Sequence, residues 1–102
     1  MYKIEYRSAV WRDLTEITAY ICFELHAPAA AERLAVALDK IAERVSEHPY
    51  MYKMYESVLP LREEYRIAPV GNYVLFYTVD EQEQTVDFCH MFYGGRDFEK
   101  LL

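Results

Sequence analysis

Tyr2, Ile4 and Tyr6 alternate with Lys3, Glu5 and Arg7. A period of two predicts a strand with one buried face. Ser8 then stands where a helix takes its N-cap. Val10, Leu14, Ile17, Ile21 and Leu25 recur at steps of three and four, so they form one stripe of a first helix, with Arg12, Asp13, Glu16 and Glu24 off it. His26-Ala27-Pro28 interrupts the pattern, and Pro28 suits the first turn of a second helix. Leu34, Leu38, Ile41 and Val45 are the stripe of that helix, over 29–47, and Pro49 stops it. The short connection predicts an antiparallel helical hairpin.

Tyr50 to Pro60 has no clean period and reads as an irregular loop crowded with Tyr50, Met51, Tyr52 and Met54. Leu61 to Ala68 reads as a strand ended by Pro69 and Gly71. Tyr73 to Val79 is apolar on both faces, which predicts the central strand of the sheet. Asp80 to Gln84 is a polar hairpin loop, and Thr85 to Phe92 the last strand. Gly94-Gly95 ends it, and Asp97 to Leu102 reads as a helical turn. The predicted fold is α+β, in the order β-α-α-β-β-β, with the helical hairpin packed on an antiparallel sheet.

Length and charge narrow the function. A chain of 102 residues is one domain, 1–102. With 53% hydrophobic and 27% charged residues it has the makings of a core and is not a disordered segment. A net charge of −6 argues against a generic binder of polyanions. Every apolar run is far shorter than a membrane span, and the first residues lack the apolar region of a signal peptide, so no membrane partner is expected. Cys22 and Cys89 lie far apart with no C-x-x-C spacing, and read as free thiols of a reducing cytoplasm.

No H-E-x-x-H, glycine-rich phosphate loop or G-x-S-x-G occurs. His26, His48 and His90 show no metal-ligand spacing, so neither metal nor cofactor is expected. The candidate chemistry is on the sheet half. Arg62 and Arg66, four apart on a strand, would share a face, and Arg96 follows the glycine pair. Guanidinium groups grip phosphate or carboxylate in a planar, bidentate way. Against this stands ordinary pairing with Glu5, Glu63, Glu64 or Asp87. Alternation from Val86 and Phe88 puts His90 and Phe92 on their face and Cys89 and Met91 on the other. His90 there is a hydrogen-bonded core residue or, at a cleft, a general acid or base. Tyr93 is a candidate to hold a phosphate or stack a base, and Asp97 to cap the last turn. The aromatic loop 50–55 is the exposed candidate for a protein partner.

Several phrases taken together resemble the RelE/ParE superfamily of toxins from bacterial type II toxin–antitoxin modules, which includes plasmid-stabilisation proteins. They are Ala9-Val10-Trp11-Arg12-Asp13-Leu14 through Ile17 to Tyr20-Ile21, Pro49, Leu61-Arg62, Tyr65-Arg66-Ile67, Val70 to Tyr77, and Tyr93-Gly94-Gly95-Arg96-Asp97. The resemblance covers essentially the whole chain. It implies a cytoplasmic growth inhibitor neutralised by a cognate antitoxin, as a homodimer or a toxin–antitoxin hetero-oligomer. Two mechanisms stay open. RelE-like members cut messenger RNA on the ribosome without a metal, which would make Arg62, Arg66 and Arg96 the cations and His90 or Tyr93 the proton-transfer group. ParE-like members bind DNA gyrase. A third form is an inactive homologue that only binds antitoxin. Val74 and Ala68 depart from the arginine and lysine that the nuclease branch implies at those positions. With the acidic net charge, they tilt the reading toward the gyrase-binding branch.

Overall fold

The computed structural model describes residues 1–58 and 60–102; Leu59, inside the expected irregular loop, lies outside the described residues. The elements run β1 (Lys3–Tyr6), α1 (Ser8–Ala19), a π-helical turn (Tyr20–Glu24), α2 (Pro28–Glu47), β2 (Arg66–Val70), β3 (Tyr73–Asp80), β4 (Thr85–Tyr93) and α3 (Phe98–Leu101). The α+β architecture is the expected one, with the helical hairpin on one sheet. The sheet order is β1-β4-β3-β2. β2, β3 and β4 are antiparallel, whereas β1 joins β4 in parallel, Ile4 opposite Val86 and Tyr6 opposite Phe88. The sheet is therefore mixed. α1 and α2 form the crossover that returns the chain to the same end.

Local chemistry accounts for the boundaries. Pro28 opens α2, where its missing N–H and fixed φ cost nothing. The N-cap of α1 is Arg7, with no side-chain cap, and the expected cap Ser8 is the first helical residue. A guanidinium has no acceptor to offer the first helical N–H groups, and that of Arg7 donates to carboxylates instead. The wide turn at Tyr20–Glu24 shifts the helical phase, so Ile21 stays buried but Leu25, expected on the same stripe, is 54% exposed. Gly71, at φ +61°, makes the two-residue turn from β2 to β3.

Val10, Ile21, Leu34, Leu38, Ile41 and Val45 of the hairpin pack on Ala68, Val70, Leu75, Tyr77, Val86, Phe88 and Met91 of the sheet. β3 is central, as its two apolar faces require. Its outer face carries a second, smaller core: Tyr65, Phe76 and Cys89, packed by Tyr55, Leu61, Phe92, Phe98 and Leu102. Phe98 of α3 sits 5.1 Å from Phe76 and 6.1 Å from Tyr55 between ring centres. The Glu99 carboxylate accepts hydrogen bonds from the Ser57 and Tyr55 hydroxyls, at 2.5 and 3.1 Å, and from the Val58 N–H at 3.1 Å. Asp97 stands at the N-cap of this last turn, without a side-chain cap bond. No helix among the described residues is long and apolar enough to cross a membrane.

Candidate functional site

β2 begins at Arg66 rather than Leu61, so Arg62 lies in an exposed bend and the shared strand face expected of the two arginines is not formed. Arg66 faces the hairpin side, opposite Tyr77. Its guanidinium donates to the Tyr52 carbonyl at 2.7 Å and the Tyr50 carbonyl at 3.4 Å, and lies 4.8 Å from the centre of the Tyr50 ring. Arg66 therefore pins the loop after α2. Carbonyls and a π face satisfy it, and neither arginine takes the carboxylates expected as partners.

Two of those carboxylates, Glu63 and Asp87, belong to Arg7, and Glu5 pairs with Lys3. The Arg7 guanidinium makes a bidentate pair with Glu63, at 2.7 Å to both oxygens, and reaches Asp87 at 3.0 Å. The Tyr65 hydroxyl donates to the same Glu63 carboxylate at 3.1 Å. Glu63 is held below the usual carboxylate range, chiefly by the hydrogen bonds from Arg7. Arg7 is raised further above its already high value, Glu63 again being the first cause. Tyr65 is pushed up to about 12 by burial and then by Glu63. Arg7, Glu63 and Asp87 line an open cleft of about 470 Å³ with Glu64, Arg66, Thr78 and Asp80. Sequence reasoning passed over Arg7 because its partners are 56 and 80 residues away.

His90 is on the outer face, not with Val86 and Phe88. β4 carries a bulge: Phe76 pairs with His90 and Tyr77 with Phe88, which leaves Cys89 as an extra residue. One inserted residue reverses the alternation, so Met91 enters the main core. The His90 ring stacks on Phe92 at 5.3 Å and meets the edge of Tyr65. Its Nδ1 is 3.6 Å from Asp13 Oδ2, an oxygen that also accepts the Met91 N–H at 3.0 Å. Cys89, pushed up to about 11 by burial, is a packed thiol rather than a nucleophile. Cys22 is also free.

Tyr93 is the last residue of β4, 55% exposed, edge-on to Tyr73. Facing Tyr73 across the ladder puts it on the hairpin side, away from His90. Arg96 is exposed beyond Gly94-Gly95, its N–H bonded to the Tyr93 carbonyl at 3.1 Å. Arg66 pairs at Tyr77, in the middle of β3, whereas Arg96 follows Tyr93, which pairs at Tyr73, the first residue of β3; Tyr73 and Tyr77 are roughly 13 Å apart along the strand. Of Arg62, Arg66, His90, Tyr93 and Arg96, the described cleft is lined by Arg66 alone. The structure does not gather the five into one pocket.

The two departures from basic residues have a packing reason. Ala68 is fully buried against the hairpin and Val74 packs in the outer aromatic cluster. A lysine at Ala68 would enter an apolar core without a partner.

Residues 4–98 match the family described as the ParE toxin of the type II toxin–antitoxin system, parDE. No curated protein matches the chain. Among solved structures, the toxin–antitoxin complex RelBE2 from Mycobacterium tuberculosis is similar with a TM-score of 0.59 and 21% identity, over 90% of this chain and 96% of that one. The archaeal RelE–RelB complex from Pyrococcus horikoshii has a TM-score of 0.56 and 16% identity over 93% and 97%. The chromosomal ParDE system from P. aeruginosa has a TM-score of 0.59 and 15% identity over 91% and 96%. At these identities the likeness is one of fold, and it is as close to RelE-type as to ParE-type structures.

Proposed function

The chain belongs to the family of ParE toxins of type II toxin–antitoxin systems, and from that premise we propose that it arrests growth by binding a protein target, DNA gyrase, rather than by cutting RNA. The observation that carries this reading is the scatter of the basic candidates. Metal-free cleavage of RNA needs cations and an acid–base group converging on one phosphate. Here Arg66 is committed to carbonyls, Arg96 stands beyond the end of β4, and His90 faces away from Tyr93. The outer face of the sheet is filled with aromatic side chains. The net charge of −6 also weakens docking to a ribosome.

The solved relatives named above are toxin–antitoxin systems, and by analogy a cognate antitoxin neutralises this chain. Induced expression, followed by mapping of messenger RNA ends, and a supercoiling assay with purified gyrase test the proposal. Growth arrest with unchanged RNA ends and inhibited supercoiling is expected. New RNA ends at ribosomal positions, lost when Arg62, Arg66 and Arg96 are replaced by Ala, would make the chain a nuclease. No growth arrest, with an antitoxin still bound, would make it an inactive homologue.

A further inference from the structure

The outer face of the sheet holds a slot that the chain fills with its own last turn. Phe76 of β3, Phe92 of β4 and Tyr55 of the loop after α2 form its sides, and Phe98 of α3 is the ring inside. Phe98 meets Phe76 and Tyr55 edge-on, and lies at 20° to Phe92 with 6.2 Å between ring centres. Phe92 is in turn 18° from His90, so His90, Phe92 and Phe98 make one stack of near-parallel rings. Glu99, the next residue, places its carboxylate on three donors of one segment: the Tyr55 and Ser57 hydroxyls and the Val58 N–H. A ring in a pocket, with a carboxylate on donors at the rim, is how an anchored peptide is held. The walls are fixed by other contacts: the Tyr55 N–H donates to the Tyr65 carbonyl, and β3 pairs with β4 along its length. The occupant comes from a turn of 4 residues, joined to β4 by residues 94–97.

We propose that Phe98 and Glu99 are the built-in occupant of a peptide-binding slot, and that a segment of another protein displaces them when it carries an aromatic residue followed directly by a carboxylate residue. The chemistry of the incoming segment follows from the occupant already present. Ring faces and edges line the slot, so it takes an aromatic side chain. The three donors at the rim are two hydroxyls and one amide, so hydrogen bonds rather than an ion pair hold the carboxylate. A tethered occupant competes as though present at roughly millimolar concentration. With an intrinsic Kd of about 0.1 mM for such a segment, the slot stands open in roughly one chain in ten. An external segment then binds the intact chain about tenfold more weakly than a chain whose slot has been emptied.

Calorimetric titration of the full 102-residue chain with a synthetic peptide of residues 96–102 tests this. The parent chain is compared with a Phe98→Ala/Glu99→Gln double variant, whose fold is checked by circular dichroism. The double variant should bind the peptide with a Kd of about 0.03–0.3 mM, and the parent about tenfold more weakly. The same peptide carrying Phe98→Ala should bind at least about tenfold more weakly, and one carrying Glu99→Gln about threefold more weakly. A folded double variant that fails to bind the peptide at about 3 mM overturns the proposal. So does equal binding by parent and variant, or binding indifferent to Phe98→Ala in the peptide. Should the double variant not fold, the parent decides: binding at about 1 mM that Phe98→Ala in the peptide abolishes supports the slot, and its absence overturns it. Neither the gyrase assay nor the RNA assay bears on the outcome.

Discussion

Asp13 is an acidic residue that the helix could spare from its solvent face, and it does the work of a strand. β1 ends at Tyr6, opposite Phe88, and from there β4 has no parallel neighbour. The Met91 N–H, on a residue 1% exposed, is taken by Asp13 instead. Asp13→Ala should therefore strand a buried donor and cost about 1–3 kcal/mol in urea denaturation, whereas Asp13→Asn, which keeps an acceptor, should cost less. Gln84 is a second position where one side chain sets the local cost. It closes the β3–β4 hairpin at φ +52°, a left-handed conformation that disfavours a residue with Cβ. Gln84→Gly should raise the denaturation midpoint, with a gain of about 0.5–1 kcal/mol.

At the scale of elements, the segment before β2 is tied down by charge rather than by a strand ladder. The Arg7–Glu63 pair joins the bend at 61–65 to the start of α1 and to β4. Glu63 titrates lower folded than unfolded, so its contribution is complete above its unfolded value, near 4.3, and is lost as pH falls through the lower folded value. Stability should drop between about pH 5 and pH 3, and Glu63→Gln should flatten that acid limb while lowering the midpoint at pH 7. α3 is tied differently, by Phe98 in the aromatic cluster and by Glu99 on the 55–58 segment. Deleting residues 98–102 should leave the helical circular dichroism of the hairpin nearly intact but expose the outer cluster, read as new binding of a hydrophobic dye. The sequence showed these elements unevenly, for a physical reason. Periodicity says which side chains share a face, so the stripes of both helices and the central place of β3 were legible. It does not say which strand is a neighbour, so β1 beside β4 was hidden. It assumes unbroken alternation, so the extra residue at Cys89 put His90 on the wrong face. Ion pairs spanning 56 and 80 residues leave no local signal at all.

At the scale of the whole molecule, the five candidate site residues were legible only as types, because an arginine in a sequence does not announce its acceptor. Carbonyls claim Arg66, and the bulge turns His90 away from Tyr93. What unites the molecule is the pairing of the first strand with the last. That pairing also sets a timetable for synthesis. β1 leaves the ribosome roughly 80 residues before β4, a wait of about 4–16 s at typical elongation rates. In that interval α1 and α2 can form as a local hairpin, but the apolar stripe from Val10 to Val45 has only part of its sheet to cover. A chain halted after residue 84 lacks β4, and with it the strand that β1 and β3 both pair to. Such a product should be cut rapidly in limited proteolysis where the 102-residue chain resists. A domain closed by its last strand is complete only when nearly all of it has been made, and an interrupted translation should yield a substrate for proteases instead of a folded domain.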